Sequence, residues 1–223
     1  MRRLLIFIKE PIPGQVKTRL AAEIGASAAC HVYRRCVERT LERLAVLRDD
    51  VTLCVDPAEA TGRIRAWLGS EWPVSPQRGV TLGARMAQAI DGAFAEGMRR
   101  VVVIGTDSPW IDHPLIEEAF AAMEHVDLVI GPARDGGYYL VGLARPAPGL
   151  FRDMPWSTNQ VLDQTLGKAR AFGLSVSLLP QGYDVDRLTD LQQWMQQDPH
   201  HGLTVPLSTR RGTAPRHRRM SHA

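Results

Sequence analysis

The chain has few cysteines, and neither they nor its histidines show a familiar metal-binding spacing. The three cysteines (Cys30, Cys36 and Cys54) form no C-x-x-C pair, and an odd number cannot all form disulfides with one another. The seven histidines contain no H-E-x-x-H motif. These absences argue against a disulfide framework, and we interpret the cysteines as small core residues with free thiols in a reducing compartment.

Long apolar segments are also absent. No run approaches the roughly 18 apolar residues of a membrane-spanning helix. The first residues resemble the start of a signal peptide, but the apolar run that begins at Leu4 already ends at Lys9, which is too short for a signal. We therefore predict that this segment is a buried first strand, that the protein has no membrane span, and that it is cytoplasmic.

Acidic residues are missing from the last part of the chain. Residues 206–223 contain five arginines and no acid, and without them the formal charge changes from +3 to −2. The basic character therefore belongs to a tail, which argues against a nucleic-acid-binding protein. We predict one domain over residues 1–202 and a basic, disordered tail over residues 203–223.

Apolar runs and helical patterns alternate along the rest of the chain. The predicted strands are Leu4–Ile8, Val51–Val55, Val101–Gly105, Asp127–Ile130, Tyr138–Val141 and Leu174–Leu179. The predicted helices cover residues 27–47, 58–69, 80–98, 112–125, 158–172 and 187–197. Such alternation predicts a single-domain α/β fold with a mostly parallel sheet and helices on both faces. Around Gly131–Tyr138 no helical pattern separates two strands, so we expect a local hairpin or antiparallel insertion there.

The glycine-rich phosphate motifs are absent as well. The loop after the first strand, K-E-P-I-P-G-Q-V-K-T-R-L, has Val16 where a Walker A motif needs glycine before the lysine, and G-x-G-x-x-G does not occur. Lys17 and Arg19 nevertheless offer a point charge and a forked donor that suit phosphate oxygens. The loop is either a phosphate-binding loop or a solvated basic turn.

An acidic residue follows the most apolar strand. The run V-V-V-I-G-T-D-S-P places Asp107 between Gly105 and Pro109, where a buried strand must end. Ligands of open α/β sheets bind outside the carboxyl ends of the strands, so this carboxylate is well placed to hold a metal ion against a phosphorylated ligand. The structural alternative is a turn or a helix cap.

Two later segments add further polar groups. In G-P-A-R-D-G-G-Y-Y-L, Gly136 and Gly137 precede a strand, which is typical of a tight turn or of close approach by a ligand. In G-Y-D-V-D we expect one of Asp184 and Asp186 to face the cleft and the other to cap the following helix. Together with Asp107, this would give two carboxylates and bound phosphates for one Mg²⁺-type ion.

In combination and in order, these segments resemble the bacterial DUF2064 family. The motifs are K-E-P-I-P-G-Q-V-K-T-R-L, L-G-A-R-M, V-V-V-I-G-T-D-S-P, G-P-A-R-D-G-G-Y-Y-L-V-G-L, P-W-S-T and D-V-D, within residues 3–195. Members are described as glycosyltransferases of the three-layer, Rossmann-like GT-A fold, and some are linked to arsenosugar biosynthesis. More distant relatives are molybdenum-cofactor guanylyltransferase and 2-phospho-lactate guanylyltransferase. The resemblance implies the fold of nucleotide-diphospho-sugar transferases.

The resemblance also implies roles for individual residues. Lys17 and Arg19 would hold nucleotide phosphates, while Asp107 and Asp186 would bind Mg²⁺ or Mn²⁺. Two residues of the segment near the nucleotide base are Gln77 and Gly83. Residues on the sugar or acceptor side would be Gly136, Gly137 and Tyr138.

Two positions leave the resemblance open. The family commonly has an acid before L-G-x-R-M, where this chain has Thr81. Trp156 of P-W-S-T either stacks on a ligand or is buried against the sheet. Arg85 and Met86 of L-G-A-R-M are interpreted as ordinary helix surface and core.

Three functions are compatible with these residues. The first is metal-dependent glycosyl transfer from a nucleotide-diphosphate sugar to a small-molecule acceptor, with Asp107 and Lys17 stabilising the leaving group and Asp135 as the candidate base. The second is nucleotidylyl transfer of the guanylyltransferase type, with release of pyrophosphate. The third is a non-catalytic nucleotide-binding accessory protein.

Overall fold

The computed structural model describes residues 1–147 and 149–203. The strands are β1 (Arg2–Lys9), β2 (Val51–Asp56), β3 (Val74–Pro76), β4 (Arg100–Ile104), β5 (Leu128–Pro132), β6 (Tyr138–Leu143) and β7 (Val176–Leu178). The α-helices are α1 (Thr18–Ile24), α2 (Ala26–Arg43), α3 (Thr61–Leu68), α4 (Leu82–Ala95), α5 (His113–Ala122), α6 (Val161–Ala171) and α7 (Leu188–Gln197). Two 3₁₀ helices lie at Ala45–Asp50 and Ala58–Ala60. In the described part of the chain, no helix has the length and apolar character needed to cross a membrane.

Seven strands form one sheet in the order β3-β2-β1-β4-β6-β5-β7. Strand β6 pairs antiparallel with β4 and β5, whereas the other neighbouring strands run parallel. The antiparallel insertion predicted around Gly131–Tyr138 is therefore confirmed. Because β6 runs in the opposite direction, its first residue, Tyr138, lies at the edge of the sheet where the parallel strands end.

Both faces of the sheet are covered, as predicted. Along β1, Leu4 and Ile6 pack in one cluster with α2, α3 and α5, whereas Leu5 packs in a second cluster with α4 and α6. This alternation follows from the two-residue period of a strand, and it places helices on both faces. The three cysteines are buried and free, so their interpretation as core residues is confirmed.

Two short elements were not predicted. Strand β3 has three residues and ends at Pro76, so it has neither the length nor the alternation that identifies a strand. Helix α1 has seven residues, and it buries Leu20 in a third cluster formed with α2 and α7. Helices of this length are marginal on local propensity alone, and tertiary packing decides whether they form.

The end of the described chain is fastened to α2. The guanidinium of Arg39 donates to the Asp198 carboxylate at 2.7 and 3.0 Å, and that of Arg35 donates to the His201 carbonyl at 2.6 Å. Leu203 is buried in the same cluster as Trp194. The folded part thus includes Leu203, one residue beyond the predicted boundary. The rest of the predicted tail lies outside the described residues, and its disorder stays a prediction.

Candidate active site

The predicted site segments meet at the carboxyl edge of the sheet. The loops after β1, β3, β4 and β7 and the turn between β5 and β6 surround a cavity of about 840 Å³. Cavities of this volume are typical of small-molecule sites, and this edge is where α/β sheets bind ligands. Of the predicted site residues, those on the cavity wall are Lys17, Arg19, Gln77, Asp107, Asp135, Gly137, Tyr138 and Asp186.

Lys17 lies among the charged groups of the cavity, and its side chain is only 1% exposed. Its ammonium contacts a carboxylate oxygen of Asp107 and lies 3.4 Å from one of Asp186. Burial by itself lowers the pKa of Lys17, but the two carboxylates, Asp107 foremost, raise that pKa above its ordinary value. The buried ammonium is therefore charged, and it is held between two acids.

A tight turn brings Lys17 to this position. The N–H of Gln15 donates to the Ile12 carbonyl at 3.0 Å, and Gly14 between them has a φ of 83°. Lys17 itself has a φ of 49°, in the left-handed region. That conformation costs a non-glycine residue about 1–2 kcal/mol. Such strain is typical of functional sites, and here it accompanies the two ion pairs of Lys17.

Tyr33 of α2, which was not among the predicted site residues, joins the end of β1 to the loop after β4. Its hydroxyl accepts the Lys9 N–H at 2.8 Å and donates to the Lys9 carbonyl at 3.2 Å. The Thr106 hydroxyl lies 3.4 Å from the same oxygen, next to Asp107. Burial raises the pKa of Tyr33, which keeps the hydroxyl protonated. In the sequence Tyr33 is one more apolar position of a helix, so no local signal distinguishes it from core.

Both aspartates of the segment 182–186 line the cavity, so the expectation that one of them caps a helix is wrong. Val185 between them is fully buried under the loop. Side chains alternate along an extended chain, so residues two positions apart lie on the same side. Helix α7 is capped instead by Asp190, whose carboxylate accepts the N–H of Arg187 at 2.8 Å.

The two aspartates have different surroundings. Asp184 accepts a hydrogen bond from the Ser108 hydroxyl, and burial, followed by the charge of Asp107, raises the pKa of Asp184 to about 7. Asp186 is more open and lies 3.5 Å from the guanidinium of Arg19, whose side chain is 55% exposed. A partly protonated Asp184 reduces the repulsion among the three carboxylates near Lys17.

The turn between β5 and β6 supplies Asp135 to the cavity. One carboxylate oxygen of Asp135 accepts the N–H of Gly137 at 2.9 Å, which fixes the side chain over the turn. Gly136 has a φ of 87°, and a Cβ there would lie 2.3 Å from the backbone oxygen of Asn159. Gly136 is thus needed for close packing against the start of α6, and it is not on the cavity wall.

The two residues assigned to the base segment have different positions. Gln77 lines the cavity after β3, and its amide N–H donates to the Cys54 carbonyl at 2.8 Å. Gly83 is buried in α4, where a Cβ would lie 2.3 Å from the Phe151 carbonyl oxygen and 2.9 Å from the indole nitrogen of Trp156. Gly83 is not on the cavity wall. These close contacts indicate that Gly83 is needed for packing.

The start of α4 contains Thr81, Arg85 and Met86. Thr81 is the N-cap of α4, and its hydroxyl accepts the Ala84 N–H at 3.1 Å. Arg85 lines the cavity, where it forms an ion pair with Asp56 and donates a hydrogen bond of 3.0 Å to the Gly79 carbonyl. The interpretation of Arg85 as ordinary helix surface is therefore wrong. Met86 is 4% exposed, as expected of a core residue.

Trp156 is half-buried and lines the cavity. Its ring meets the ring of Tyr138 edge-on, with centroids 6.3 Å apart. The next three residues, Ser157, Thr158 and Asn159, are exposed and also line the cavity.

The charges of the cavity are divided between two parts of the chain. The basic side chains of the cavity wall are Lys9, Lys17, Arg19 and Arg85, and all of them come from residues 7–86. We call the cavity-lining residues of this range the basic wall. The acidic side chains of the cavity wall are Asp107, Asp135, Asp184 and Asp186, and all of them come from residues 103–186. We call the cavity-lining residues of this range the acidic wall. Among the described residues, the basic wall contains no acid, and the acidic wall contains no lysine, arginine or histidine.

The cavity offers a divalent ion two carboxylates, Asp107 and Asp186. Within residues 1–147 and 149–203, no group of three or more His, Cys, Asp or Glu is arranged to bind one. Asp107 and Asp186, however, converge on one positive charge, the Lys17 ammonium. Hard cations such as Mg²⁺ prefer carboxylate oxygens and commonly complete their shell with phosphate oxygens and water. The two carboxylates fit such an ion together with a phosphorylated ligand.

Solved structures share this architecture. A proposed nucleotide-diphospho-sugar transferase from Desulfovibrio desulfuricans G20 is 37% identical, with a TM-score of 0.84, over 89% of this chain and 88% of that one. The 4-diphosphocytidyl-2C-methyl-D-erythritol synthase from Anaerococcus prevotii DSM 20548 is 11% identical, with a TM-score of 0.58, over 87% and 96% of the two chains. Rv0371c from Mycobacterium tuberculosis H37Rv, in complex with manganese, is 16% identical, with a TM-score of 0.52, over 88% and 100%. The last two show the fold alone.

The family follows from sequence. No curated protein matches the chain. The model of DUF2064, described as an uncharacterized protein conserved in bacteria, matches residues 40–158. That match covers Asp107, the Asp135 turn and Trp156, and the 37% identical structure covers most of the chain. The predicted resemblance is confirmed, and the chain belongs to the DUF2064 family.

Proposed function

We propose that this chain is a divalent-metal-dependent glycosyltransferase whose donor is a nucleotide-diphosphate sugar. The observation that carries the proposal is that Lys17 and Arg19 lie against Asp107 and Asp186, whereas Asp135 in the same cavity has no basic partner among the described residues. A diphosphate needs positive charge, whereas an acceptor hydroxyl needs a base and no cation. The name of the 37% identical relative, a proposed nucleotide-diphospho-sugar transferase, supports the same reaction class.

The donor's diphosphate would lie against Lys17 and Arg19. These side chains are the basic groups nearest to Asp107 and Asp186. Charge-assisted hydrogen bonds to phosphate oxygens are about twice as strong as neutral ones. Gln77, at the end of β3 on the basic wall, is then the candidate contact of the base.

Asp107 and Asp186 would hold the divalent ion. When bound, that ion neutralises the charge that develops on the departing diphosphate. Lys17 would exchange a carboxylate oxygen for a phosphate oxygen, and its buried position would keep water from competing for it. Lys17 and Arg19 then stabilise the same developing charge through preorganised donors.

Asp135 would act as the base in the transfer step. The bond between the anomeric carbon and the diphosphate oxygen breaks, and its electron pair leaves with the nucleoside diphosphate. The acceptor oxygen forms the new bond to the anomeric carbon, and its proton passes to Asp135. One oxygen of Asp135 is held by the Gly137 N–H, and within the described residues the other has no hydrogen bond, so it is open to the acceptor.

Nucleotidylyl transfer is the alternative reaction. Its acceptor is itself a phosphate, which must be held beside the α-phosphate of a nucleoside triphosphate. Asp135, the group proposed to face the acceptor, has no basic partner among the described residues, so a phosphate placed beside it would be repelled. We therefore favour glycosyl transfer.

The products of turnover test the proposal. The protein is incubated with a panel of nucleotide sugars, and separately with nucleoside triphosphates, in Mg²⁺ or Mn²⁺ and a mixture of acceptors. Chromatography then measures nucleoside diphosphate and pyrophosphate. We expect metal-dependent release of nucleoside diphosphate that Asp135→Asn abolishes and that Asp153→Asn, an exposed residue away from the cavity wall, leaves unchanged. Pyrophosphate release would establish the alternative, and binding without turnover an accessory role.

A further inference from the structure

We infer that the acceptor is a neutral polyhydroxylated compound, such as a sugar or polyol. It would bind to five residues of the acidic wall, which we call the acceptor patch. These residues are Asp135, Trp156, Ser157, Thr158 and Asn159. The inference rests on the proposed glycosyl transfer and adds the chemical class of the acceptor.

The acceptor patch and the phosphate-binding side chains are carried by different elements around the cavity. Residues 156–159 approach α4 at Gly83 and the β5–β6 turn at Gly136, whereas Lys17 contacts the segment that carries Asp186. Because β4 lies between β1 and β6 in the sheet, Asp107 at the end of β4 lies between the loop that carries Lys17 and the turn that carries Asp135. This order places the patch where an acceptor must bind, beyond the anomeric carbon of the donor sugar.

The patch offers an aromatic ring and uncharged polar groups. Trp156 is supported by the edge of Tyr138, and an indole ring provides an apolar surface suited to the C–H face of a sugar ring. Ser157 and Asn159 are exposed, and within the described residues their side chains form no hydrogen bond. Hydroxyl and amide groups both donate and accept, as the hydroxyls of a polyol do. Thr158 instead donates to the Pro155 carbonyl at 2.8 Å and shapes the loop.

The charge of the patch disfavours anionic acceptors. Asp135 is its single ionisable group, and a phosphate or carboxylate placed beside it would be repelled. The cations nearest in sequence, Arg134, Arg152 and Lys168, are not on the cavity wall. Arg134 donates to Gln193 at 3.1 Å and lies over the Tyr183 ring, and Lys168 contacts the Arg152 carbonyl.

The patch is also built before any ligand arrives. The Leu162 N–H donates to the Gly136 carbonyl at 2.9 Å, which ties the start of α6 to the turn that carries Asp135. Ser157 has a φ of 66°, a conformation that is uncommon for serine and typical of constrained functional loops. A preformed patch loses little conformational entropy on binding.

Paired probes test the inference. The full chain is saturated with Mn²⁺ and its tightest nucleoside diphosphate, and Mn²⁺-induced proton relaxation reports each probe that binds nearby. The pairs are glucose with glucose 6-phosphate and glycerol with glycerol 3-phosphate. We expect the neutral member of at least one pair to bind about tenfold more tightly than its phosphate ester. Equal or tighter binding of the esters, or no binding of either neutral compound, would overturn the inference.

Variants locate the binding. Trp156→Ala should weaken the neutral probes at least fivefold while the affinity for nucleotide stays the same. Asp135→Asn should reduce the preference against phosphate esters, and the matched Asp153→Asn should change nothing. If nucleotide does not bind, or turnover releases pyrophosphate, the proposed function fails and the inference with it. If nucleoside diphosphate is released but the esters bind better, the inference alone fails.

Discussion

The two walls of the cavity differ in how their charges are held as well as in sign. On the basic wall, Arg85 is paired with Asp56, which is not on the cavity wall, whereas Lys17 is paired directly with Asp107 and Asp186 of the acidic wall. On the acidic wall, Asp135 and Asp184 are held by a backbone N–H and a hydroxyl, respectively. Arg85 thus stabilises its own wall, and Lys17 joins the two walls.

This comparison indicates which charges are available to a ligand. Lys17 and Arg19 both contact Asp186, and a phosphate together with a metal ion can replace those contacts without leaving any charge unpaired. Asp135 has no basic partner in the described residues and stays available to an acceptor. The division of charge therefore gives the cavity a direction, from diphosphate to acceptor.

The largest effect should come from the carboxylate nearest to Lys17. Asp107→Asn removes a metal ligand, and we expect metal-dependent nucleotide affinity to fall on the order of 100-fold, about 3 kcal/mol. The fold should change little, because the side chain is 49% exposed and Lys17 keeps Asp186. Calorimetry with and without Mn²⁺ measures the effect, beside Asp153→Asn as the charge-matched control. Parent-like binding would contradict the assignment of Asp107.

Lys17→Ala and Arg19→Ala test the basic wall. Each should weaken nucleoside diphosphates far more than the corresponding nucleosides, because the proposed partners are phosphate oxygens. A lost charge-assisted hydrogen bond costs about 1.5–3 kcal/mol, roughly tenfold or more in affinity. We expect the buried Lys17 to lie at the upper end of this range and the exposed Arg19 at the lower end. Equal weakening toward nucleoside and nucleoside diphosphate would refute phosphate contact.

Gly83→Ala tests the packing behind the acidic wall. Its Cβ would lie 2.3 Å from the Phe151 carbonyl oxygen, so the segment that carries Trp156 must shift, at a cost of about 1–3 kcal/mol in unfolding free energy. The control is Gly92→Ala in the same helix, where nothing lies within 4 Å and alanine should stabilise by about 0.5–1 kcal/mol. Denaturant unfolding of both variants measures the difference. Equal stabilities would mean that Gly83 does not support Trp156.

A carboxylate outside the cavity should affect stability and not binding. Hydrogen bonds from Arg145 and then from the Ser175 backbone lower the pKa of Asp127 to about 2. Its ordinary value is near 3.9, so the ionised group stabilises the fold above about pH 4, and this contribution is lost as the pH falls through about 2. Asp127→Asn should cost on the order of 1 kcal/mol at pH 7, because the ion pair is partly exposed.

The pH dependence separates this effect from a general loss of packing. The difference in unfolding free energy between Asp127→Asn and the parent should shrink as the pH is lowered from 5 toward 2. Nucleotide affinity at pH 7 should be unchanged. A difference that stays constant with pH would contradict the ion-pair explanation.

The smallest effect should come from the basic tail. Removing the residues after Leu203 deletes five arginines, and we expect nucleotide affinity and melting temperature to stay within error of the parent. Any binding to anionic surfaces that the tail provides should weaken with salt, since exposed charges are screened over about 8 Å at physiological ionic strength. A large drop in affinity or melting temperature would mean that the tail packs on the domain or covers the cavity.

Strong local patterns in the sequence were reliable. The buried strands, the antiparallel insertion and the placement of Lys17 and Asp107 at one edge were predicted from apolar runs and the residues that follow them. Positions with a weak local pattern were not: β3 is too short, and Tyr33 looks like any core residue of a helix. Gly83 and Gly136 were assigned to ligand contact from the resemblance, and neither lines the cavity. A glycine in a sequence does not show which neighbour requires it.

The sequence by itself determined most of the order of strands and helices along the chain, since apolar runs and helical periodicity follow from residue types. It did not determine the division of charge on the cavity wall, because residues 7–86 also contain acids, and residues 103–186 also contain bases, that do not line the cavity. Only the tertiary structure decided that Lys17 is buried between Asp107 and Asp186, which are 90 and 169 positions away along the chain. It also decided that Asp184 and Asp186 share one side, because Val185 is drawn into the core. Which side chains meet depends on which apolar groups can be buried together, and that is a property of the whole fold.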